Sequence, residues 1–549
     1  MDQNEDQNPK PDPVDTEVPD APPELAGARG EEAAAADAAD ATEAEVSEVV
    51  QDENQEKQPM TAGGDQPGFA LSEKNGCVKV KLEDDEDEKF TGLNKEELMR
   101  VAGTPGWVRT RWALLVLFWL GWLGMLGGAA LLIAQAPRCR ELPVTHWWNK
   151  GALYRIPSVQ AFTYSGDIAG VRQKVDALYQ LKFKGLVLGP VHVAPPDDAT
   201  ALSFQEIAPE AGSLEQLKDL LVVAHRKGMS VVLDLTPNYL GSSRFWYSNA
   251  SVTAVAEKLK SALVFWFSEG VDGVQLADVE YAAAVVPSLW EDIRAIVRNG
   301  TNEQPARRLL MGVSERRSAA GVSAVLASTG VDLLTSEVLL DDDMETLVQS
   351  VLELYSANGP IGLAWNLGGR SQGHMASLVK PDLVPLYQVL LFTLPGTPVL
   401  EYGDEIGLTD DDNKFPKMIW DDPAQKEEEK LNGTLKEAMA RRASSRLLVR
   451  SLSDLRAKER SLLFGDFDVI ANSSKSLVFV RSWDRNARFL AAFNWESEEA
   501  GPLGSRGLPP LAEVVVATGG TLKAGAHVEP AKLRLGAGEA VLLKFPYAG

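Results

Sequence analysis

Cysteine is nearly absent: the 549 residues contain two, Cys77 and Cys139. That excludes a disulfide-stapled scaffold and a cysteine-built zinc site. Histidine is almost as scarce, and the five, at 146, 192, 225, 374 and 527, show no metal-ligand spacing. Neither a metal nor a cofactor is expected. Basic charge is short as well, with 54 Lys and Arg against 78 Asp and Glu, a net charge of −24. This balance argues against nucleic-acid binding. The deficit is local, because residues 1–106 hold 28 acidic and 9 basic residues, a net of −19. The same stretch is rich in Ala, Pro and Gln and poor in aromatics, so it reads as a disordered acidic tail. Its run from Glu83 to Glu88 reads as solvated and self-repelling rather than as a metal site. Two helical segments are expected there, a transient one over Ala33–Val50 and a short one over Asn94–Val101 at the membrane surface. No long-period repeat is found.

Long apolar runs are also missing, with one exception. Residues 112–134 read WALLVLFWLGWLGMLGGAALLIA, 23 positions without a charge. A helix of that length reaches about 35 Å, enough to cross a bilayer core with some tilt. It lies too deep in the chain for a cleaved signal peptide. Gly121, Gly124 and Gly128 fall on one face of it, and Gly124 to Gly128 is a GxxxG, a pattern that admits a second helix closely.

The basic residues on either side, Arg100, Arg109 and Arg111 before and Arg138, Arg140 and Lys150 after, orient this helix weakly. The glycosylation sequons orient it better. Those at Asn249, Asn299, Asn432 and Asn472 all follow the helix. The expectation is a type II protein with a cytosolic N-terminus and an extracellular C-terminal part. The membrane then separates Cys77 from Cys139. Cys139 is left outside without a partner in its own chain, which points to an intermolecular disulfide or a free thiol.

Beyond the helix, strand-like segments alternate with amphipathic helical patterns such as Leu214–Lys227 and Val252–Phe267. The strands are expected at Leu153–Pro157, Gly185–Val191, Ser230–Leu235, Asp272–Leu276, Leu309–Val313, Val331–Leu334, Ile361–Trp365 and Thr397–Tyr402. Eight such units suggest an α/β fold, a (β/α)8 TIM barrel rather than a doubly wound sheet. After about Lys458 short alternating segments suggest a small antiparallel β domain. The expected organisation is a tail over 1–106, a transmembrane helix over 112–134 and a linker over 135–151. A barrel over 152–458 and a β domain over 459–549 follow.

The barrel resembles the α-amylase family of retaining glycoside hydrolases. The resemblance rests on Leu153–Ile156 with Ser165–Gly170, on Val231–Asn238, and most specifically on Pro395–Gly407. It implies a carboxylate nucleophile and a carboxylic acid about 5 Å apart at the barrel mouth. The family's nucleophile position falls on Ala277, with Gln275 for its arginine, its acid position on Val313, and its third carboxylate on Gly368. Tyr239 stands for a usual histidine, while Asp234, Asn238 and Asn366 are kept. No catalytic residue is therefore expected. Glu315 is the one stand-in for the acid. Asp278 should point away from Ala277 by strand alternation, unless the strand has already ended. Asp234, Asn238, Asp404 and Glu405 read as structural. The usual excursion after the third strand looks absent, so neither bound calcium nor a deep sugar pocket is expected.

A degenerate amylase-like ectodomain on one helix with a membrane-proximal cysteine resembles the heavy subunits of heteromeric amino-acid transporters. The long acidic tail and the missing excursion favour the widely expressed branch, the cell-surface antigen heavy chains, over the kidney and gut branch. The resemblance implies a disulfide from Cys139 to a multi-spanning light-chain transporter subunit. It implies that the heavy chain stabilises this partner and brings it to the plasma membrane, basolateral in epithelia. Substrates would be large neutral or basic amino acids, or cystine exchanged for glutamate, depending on the light chain. One helix cannot build a transport path of its own. The rival readings are a membrane-anchored α-glucosidase using Glu315 and Asp278, and an adhesion or receptor scaffold holding other membrane receptors. Hydrolysis of a maltose-like substrate, lost on Glu315→Gln, would favour the first rival.

Overall fold

The computed structural model describes residues 94–135, 139–298, 308–341, 343–412, 414–421, 433–496 and 508–547. The expected helix over Ala33–Val50, Cys77, and the sequons at Asn299 and Asn432 lie outside the described residues. A short helix spans Lys95–Ala102 with Asn94 as its N-cap, and none of its residues is buried. The apolar helix runs over Pro105–Gln135, longer than the uncharged run. Proline suits a first helical position, where its missing N–H costs nothing. Arg109 and Arg111 therefore sit within the first turns, where long basic side chains can reach the interface. Its apolar length and the absence of any buried residue along it mark a helix suited to lipid rather than to a protein core.

Eight parallel strands close a barrel: β1 (Leu153–Ile156), β2 (Gly185–Leu188), β3 (Ser230–Asp234), β4 (Gly273–Ala277), β5 (Leu309–Val313), β6 (Leu333–Thr335), β7 (Leu363–Trp365) and β8 (Thr397–Glu401). Their order round the barrel is sequential, with β1 paired to both β2 and β8. Helices follow the strands and cover the outside. The helix Leu214–Arg226 shows why such segments form. Ser213 and Gln216 make a reciprocal capping box, and Leu217, Leu220, Leu221 and Ala224 bury one face.

Alternation along each strand builds the interior in layers. Leu153, Val187, Val232, Leu309, Met311, Leu333, Ala364 and Val399 pack inside, closed below by the fully buried Trp148. Further towards the C-terminal ends, residues lining the mouth are polar on five of the strands. They are Arg155, Asp234, Gln275, Thr335 and, just past β7, Asn366. The fold thus places its apolar layer low and its polar layer at the mouth.

The C-terminal sheet is six-stranded: β9 (Asp466–Asn472), β10 (Ser476–Ser482), β11 (Arg488–Asn494), β12 (Ala512–Ala517), β13 (His527–Val528) and β14 (Ala540–Phe545), in the order β9-β10-β11-β14-β12-β13. Its neighbours are antiparallel. One face, with Leu477, Phe479, Phe489 and Phe493, joins the barrel's outer core, while Val478, Leu490, Val541 and Leu543 form a separate cluster on the other. Burial on both faces explains the near-continuous apolar runs of β10, β11 and β14.

The candidate functional sites: the barrel mouth and the membrane-proximal segment

Ala277, Val313 and Gly368, which the sequence assigned to three catalytic positions, line one cavity at the mouth, of about 910 Å³. An open cavity therefore exists at the mouth despite the missing excursion. The stretch between β3 and the next helix, Val252–Ser268, holds only turns. The walls come from Ser242–Phe245 of this stretch together with other segments, among them Asp278–Glu280, Ser314–Arg316, Ser336–Glu337 and Gly368–Gln372.

The backbone at Gly368 has φ +111°, and a Cβ there would lie 2.3 Å from the Gly373 carbonyl oxygen. A side chain at this position is excluded, because the loop folds back through the paired Gly369 and Gly373. Strand β4 ends at Ala277, and Asp278 takes the left-handed conformation, φ 51°, at the start of the next helix. Alternation therefore does not carry to Asp278, and its side chain lines the cavity together with Glu315. Burial pushes the Asp278 carboxyl up, and Glu280 and Glu315 add to this against Arg244.

Asp234 accepts from the Thr236 N–H (2.9 Å), the Thr236 hydroxyl (2.6 Å) and the Gln275 amide (2.6 Å). Burial raises its pKa, while the Thr236 bonds, Arg370 and Gln275 oppose the rise. Arg155 pairs with Glu401 in the buried floor. Arg370, which the sequence reading missed, is held over the rings of Tyr239 (4.9 Å) and Phe415 (5.2 Å). Tyr239 in turn donates to the His192 carbonyl at 3.0 Å, and burial pushes the His192 imidazole down to about 3, so it stays neutral. Asp404 accepts from the N–H groups of Met375 (3.0 Å) and Glu401 (3.2 Å). Glu405 accepts from the Tyr154 hydroxyl (3.0 Å) and the Gly403 N–H (2.9 Å). Burial, then Glu401, holds the Asp404 carboxyl well above the usual carboxylate range. Both carboxyls are spent on backbone turns at the end of β8.

Asn238 ties two loops together. Its Nδ2 donates to Asp197 Oδ1 (2.9 Å) and its Oδ1 accepts from the Asp197 N–H (3.0 Å). Asp197 also accepts from the N–H groups of Ser242 (3.1 Å) and Ser243 (2.9 Å) and from both hydroxyls. These donors, the Ser243 hydroxyl first and the Asn238 amide next, hold its carboxyl well below the usual carboxylate range. A depressed folded pKa stabilises the fold above the unfolded value of about 3.9, and the stabilisation is lost as pH falls through the folded value. The melting temperature of Asp197→Asn should therefore trail the parent most at neutral pH, and the gap should shrink below about pH 4. Thermal melts from pH 7 to pH 3 check this, and a gap that widens in acid would contradict it.

At the other end of the barrel, Cys139 is exposed. The segment after it leads to Trp148, whose carbonyl accepts from the Thr397 hydroxyl at 3.1 Å, and to Asn149, which donates to the Ile361 carbonyl at 3.0 Å. In the apolar helix, a Cβ built on Gly121, Gly124 or Gly128 meets nothing within 4 Å, so that face is open. The sequon residues Asn249 and Asn472 are both exposed. The Tyr281 hydroxyl donates to Asn249 Oδ1, a bond that leaves out Nδ2, the atom a glycan would join.

Two family models match: Solute carrier family 3 member 2 N-terminus over residues 78–154, and Alpha amylase, catalytic domain, over residues 145–254. The amino acid transporter heavy chain SLC3A2 of Oryctolagus cuniculus is 43% identical over 519 residues, covering 90% of this chain and 96% of the relative. The chain belongs to the SLC3A2 family of amino acid transporter heavy chains. The human heavy chain SLC3A1 is more distant, 23% identical over 602 residues, with 83% of this chain and 86% of the relative covered. Among solved structures, the trehalulose synthase MutB from Pseudomonas mesoacidophila MX-45 superposes with a TM-score of 0.58 at 16% identity, covering 73% of this chain and 100% of that one. At that identity the match describes the barrel fold of this heavy chain and nothing of its chemistry. The single helix long and apolar enough to span a bilayer among the described residues fits a single-pass membrane protein.

Proposed function

We propose that this heavy chain is a non-catalytic ancillary subunit that holds a multi-spanning light-chain amino-acid transporter by a disulfide at Cys139 and by packing along the Gly121, Gly124 and Gly128 face. It stabilises that partner and carries it to the plasma membrane, basolateral in epithelia, as a type II protein. In this reading residues 1–106 are a cytosolic tail, 112–134 the span, 135–151 a linker, 152–458 the barrel and 459–549 the β domain. The light chain sets the substrates, whether large neutral amino acids, basic ones or cystine against glutamate. The sequons at Asn249, Asn299, Asn432 and Asn472 carry glycans on the extracellular side. Ala277, Val313 and Gly368 put no carboxylate at the three positions that the amylase resemblance assigns to glycoside hydrolysis, although Asp278 and Glu315 line the same cavity.

The observation that carries the reading is an exposed, unpaired Cys139 at the head of the ectodomain of a family member. The helix contribution has its own test. A Cβ added at Gly124 or Gly128 meets nothing within 4 Å among the described residues, so the loss expected of Gly124→Leu and Gly128→Leu is assigned to a partner. Once the disulfide is reduced, co-purification of the light subunit in detergent should fall roughly tenfold. Unchanged recovery would remove the helix from the interface.

A further inference from the structure

Arg140 directly follows Cys139 and, among the described residues of the linker, is the first with a hydrogen bond to the ectodomain. Its Nη1 donates to both carboxylate oxygens of Asp466, at 3.1 and 2.8 Å. Its guanidinium carbon lies 4.4 Å from the ring centroid of Trp483. Trp483 is itself buried and packs edge-on against Phe464 at 5.8 Å. Asp466 begins β9 and Trp483 follows the end of β10, so the arginine is seated on the rim of the C-terminal sheet. The same residues line a cavity of about 230 Å³ with Tyr355, Ile361 and Thr397 from the barrel.

The linker is fixed a second time at Trp148 and Asn149. Between the two fixed points, residues 141–146 adopt no helix or strand. If only the second anchor existed, the nine residues from Trp148 back to Cys139 would let the thiol range over about 30 Å. With Arg140 seated, the thiol is one peptide unit, about 3.8 Å between Cα atoms, from a fixed point.

The ion pair is half-exposed on both sides, at 50% and 45%. Such pairs contribute little to folding stability, so the consequence of this one is geometric. We infer that Arg140 is a positioning residue, which holds Cys139 at the rim of the C-terminal sheet beside Asp466 and Trp483. The partner's cysteine must then come to this rim, and the seat sets how the ectodomain lies over whatever Cys139 is joined to. The placement stands on the geometry alone. Only its effect on covalent linkage rests on the disulfide reading above.

The test uses the full chain with Cys77→Ser, purified in detergent after reduction and spin-labelled at Cys139. The parent should give an immobilised spectrum. Arg140→Ala should add a mobile component that the charge-swapped pair Arg140→Asp with Asp466→Arg removes, while the melting temperature stays within a few degrees. Equal label mobility in parent and Arg140→Ala would overturn the inference. A second arm follows re-formation of the linked species in the purified complex after reduction, with oxidised glutathione as oxidant. The two thiols lose two protons and two electrons to form the disulfide, and the glutathione disulfide is reduced to two thiols. Arg140→Ala should slow re-formation roughly three- to tenfold, through a lower effective concentration. If the parent forms no linked species at all, the disulfide reading fails, and the spin label still decides the seat.

Discussion

Replacing Cys139 by serine is expected to abolish the larger, reductant-sensitive species that carries this heavy chain on non-reducing gels. The effect should be complete, because Cys139 is the only cysteine after the helix, and Cys77 precedes it on the other side of the membrane in the reading proposed here. A thiol in an oxidising compartment with no partner in its own chain pairs with another chain or stays free. The exposure of Cys139 leaves it open to either. Serine keeps the size and removes the covalent chemistry, so folding of the ectodomain should be untouched. Persistence of the large species in Cys139→Ser would move the link elsewhere.

The second large effect is expected on stability, at Arg456. This guanidinium is fully buried on the helix Gly433–Lys458, with no carboxylate among its hydrogen-bond partners in the described residues. It donates to the carbonyls of Phe392 (3.2 Å), Leu394 (2.9 Å) and Gly396. From the β sheet, Arg481 donates to the carbonyls of Thr393 (2.6 Å) and Gly465 (3.0 Å). The carbonyls of Phe392, Thr393, Leu394 and Gly396 lie at and just beyond the C-terminus of the helix Val384–Thr393, where the last turn has no N–H of its own to offer them and the dipole is negative, while Gly465 directly precedes β9. The two arginines therefore cap one helix end and bolt the β domain to the barrel.

Burial pushes the Arg456 pKa down, Arg481 adds to the fall, and the carbonyl dipoles are what hold the cation there. Arg456→Ala removes the donors, strands three carbonyls and opens a cavity. The expected cost is about 3–5 kcal/mol, measured by denaturant unfolding of the purified protein. Arg456→Lys should recover part, since one ammonium cannot span three acceptors as a planar fork does. Arg450→Ala, on the exposed side of the same helix, should stay within about 0.5 kcal/mol. A loss below about 1 kcal/mol at Arg456 would contradict the capping account.

The framework was legible where periodicity carries it. All eight barrel strands fall where alternating apolar runs were expected, with ends displaced by up to three residues, as at β2, expected to Val191 and ending at Leu188. β13 escaped notice because two residues carry no pattern. The apolar helix was found by its missing charges, and its true start at Pro105 was not, because Arg109 and Arg111 interrupt the run that marks lipid burial. At the mouth, the positions taken from the amylase resemblance, Gln275, Ala277 and Val313, line one cavity. Asp278 was the place where the strand rule gave out, since a single left-handed residue ends β4. The missing excursion did not close the mouth, because Ser242–Phe245 and several other segments still wall a cavity of about 910 Å³. Arg140, Arg370 and Arg456 could not be read locally at all. Arg140 and its partner Asp466 lie 326 residues apart, and only the closed barrel and the docked sheet bring them together.

The central claim is that this heavy chain acts by anchoring a second polypeptide. Its most direct test is to isolate the complex from membranes without reductant and identify by mass spectrometry what is bonded to the Cys139 sulfur. A cysteine peptide from a multi-spanning amino-acid transporter is the expected result. A free or small-molecule-capped thiol, with no companion protein on it, would contradict the account.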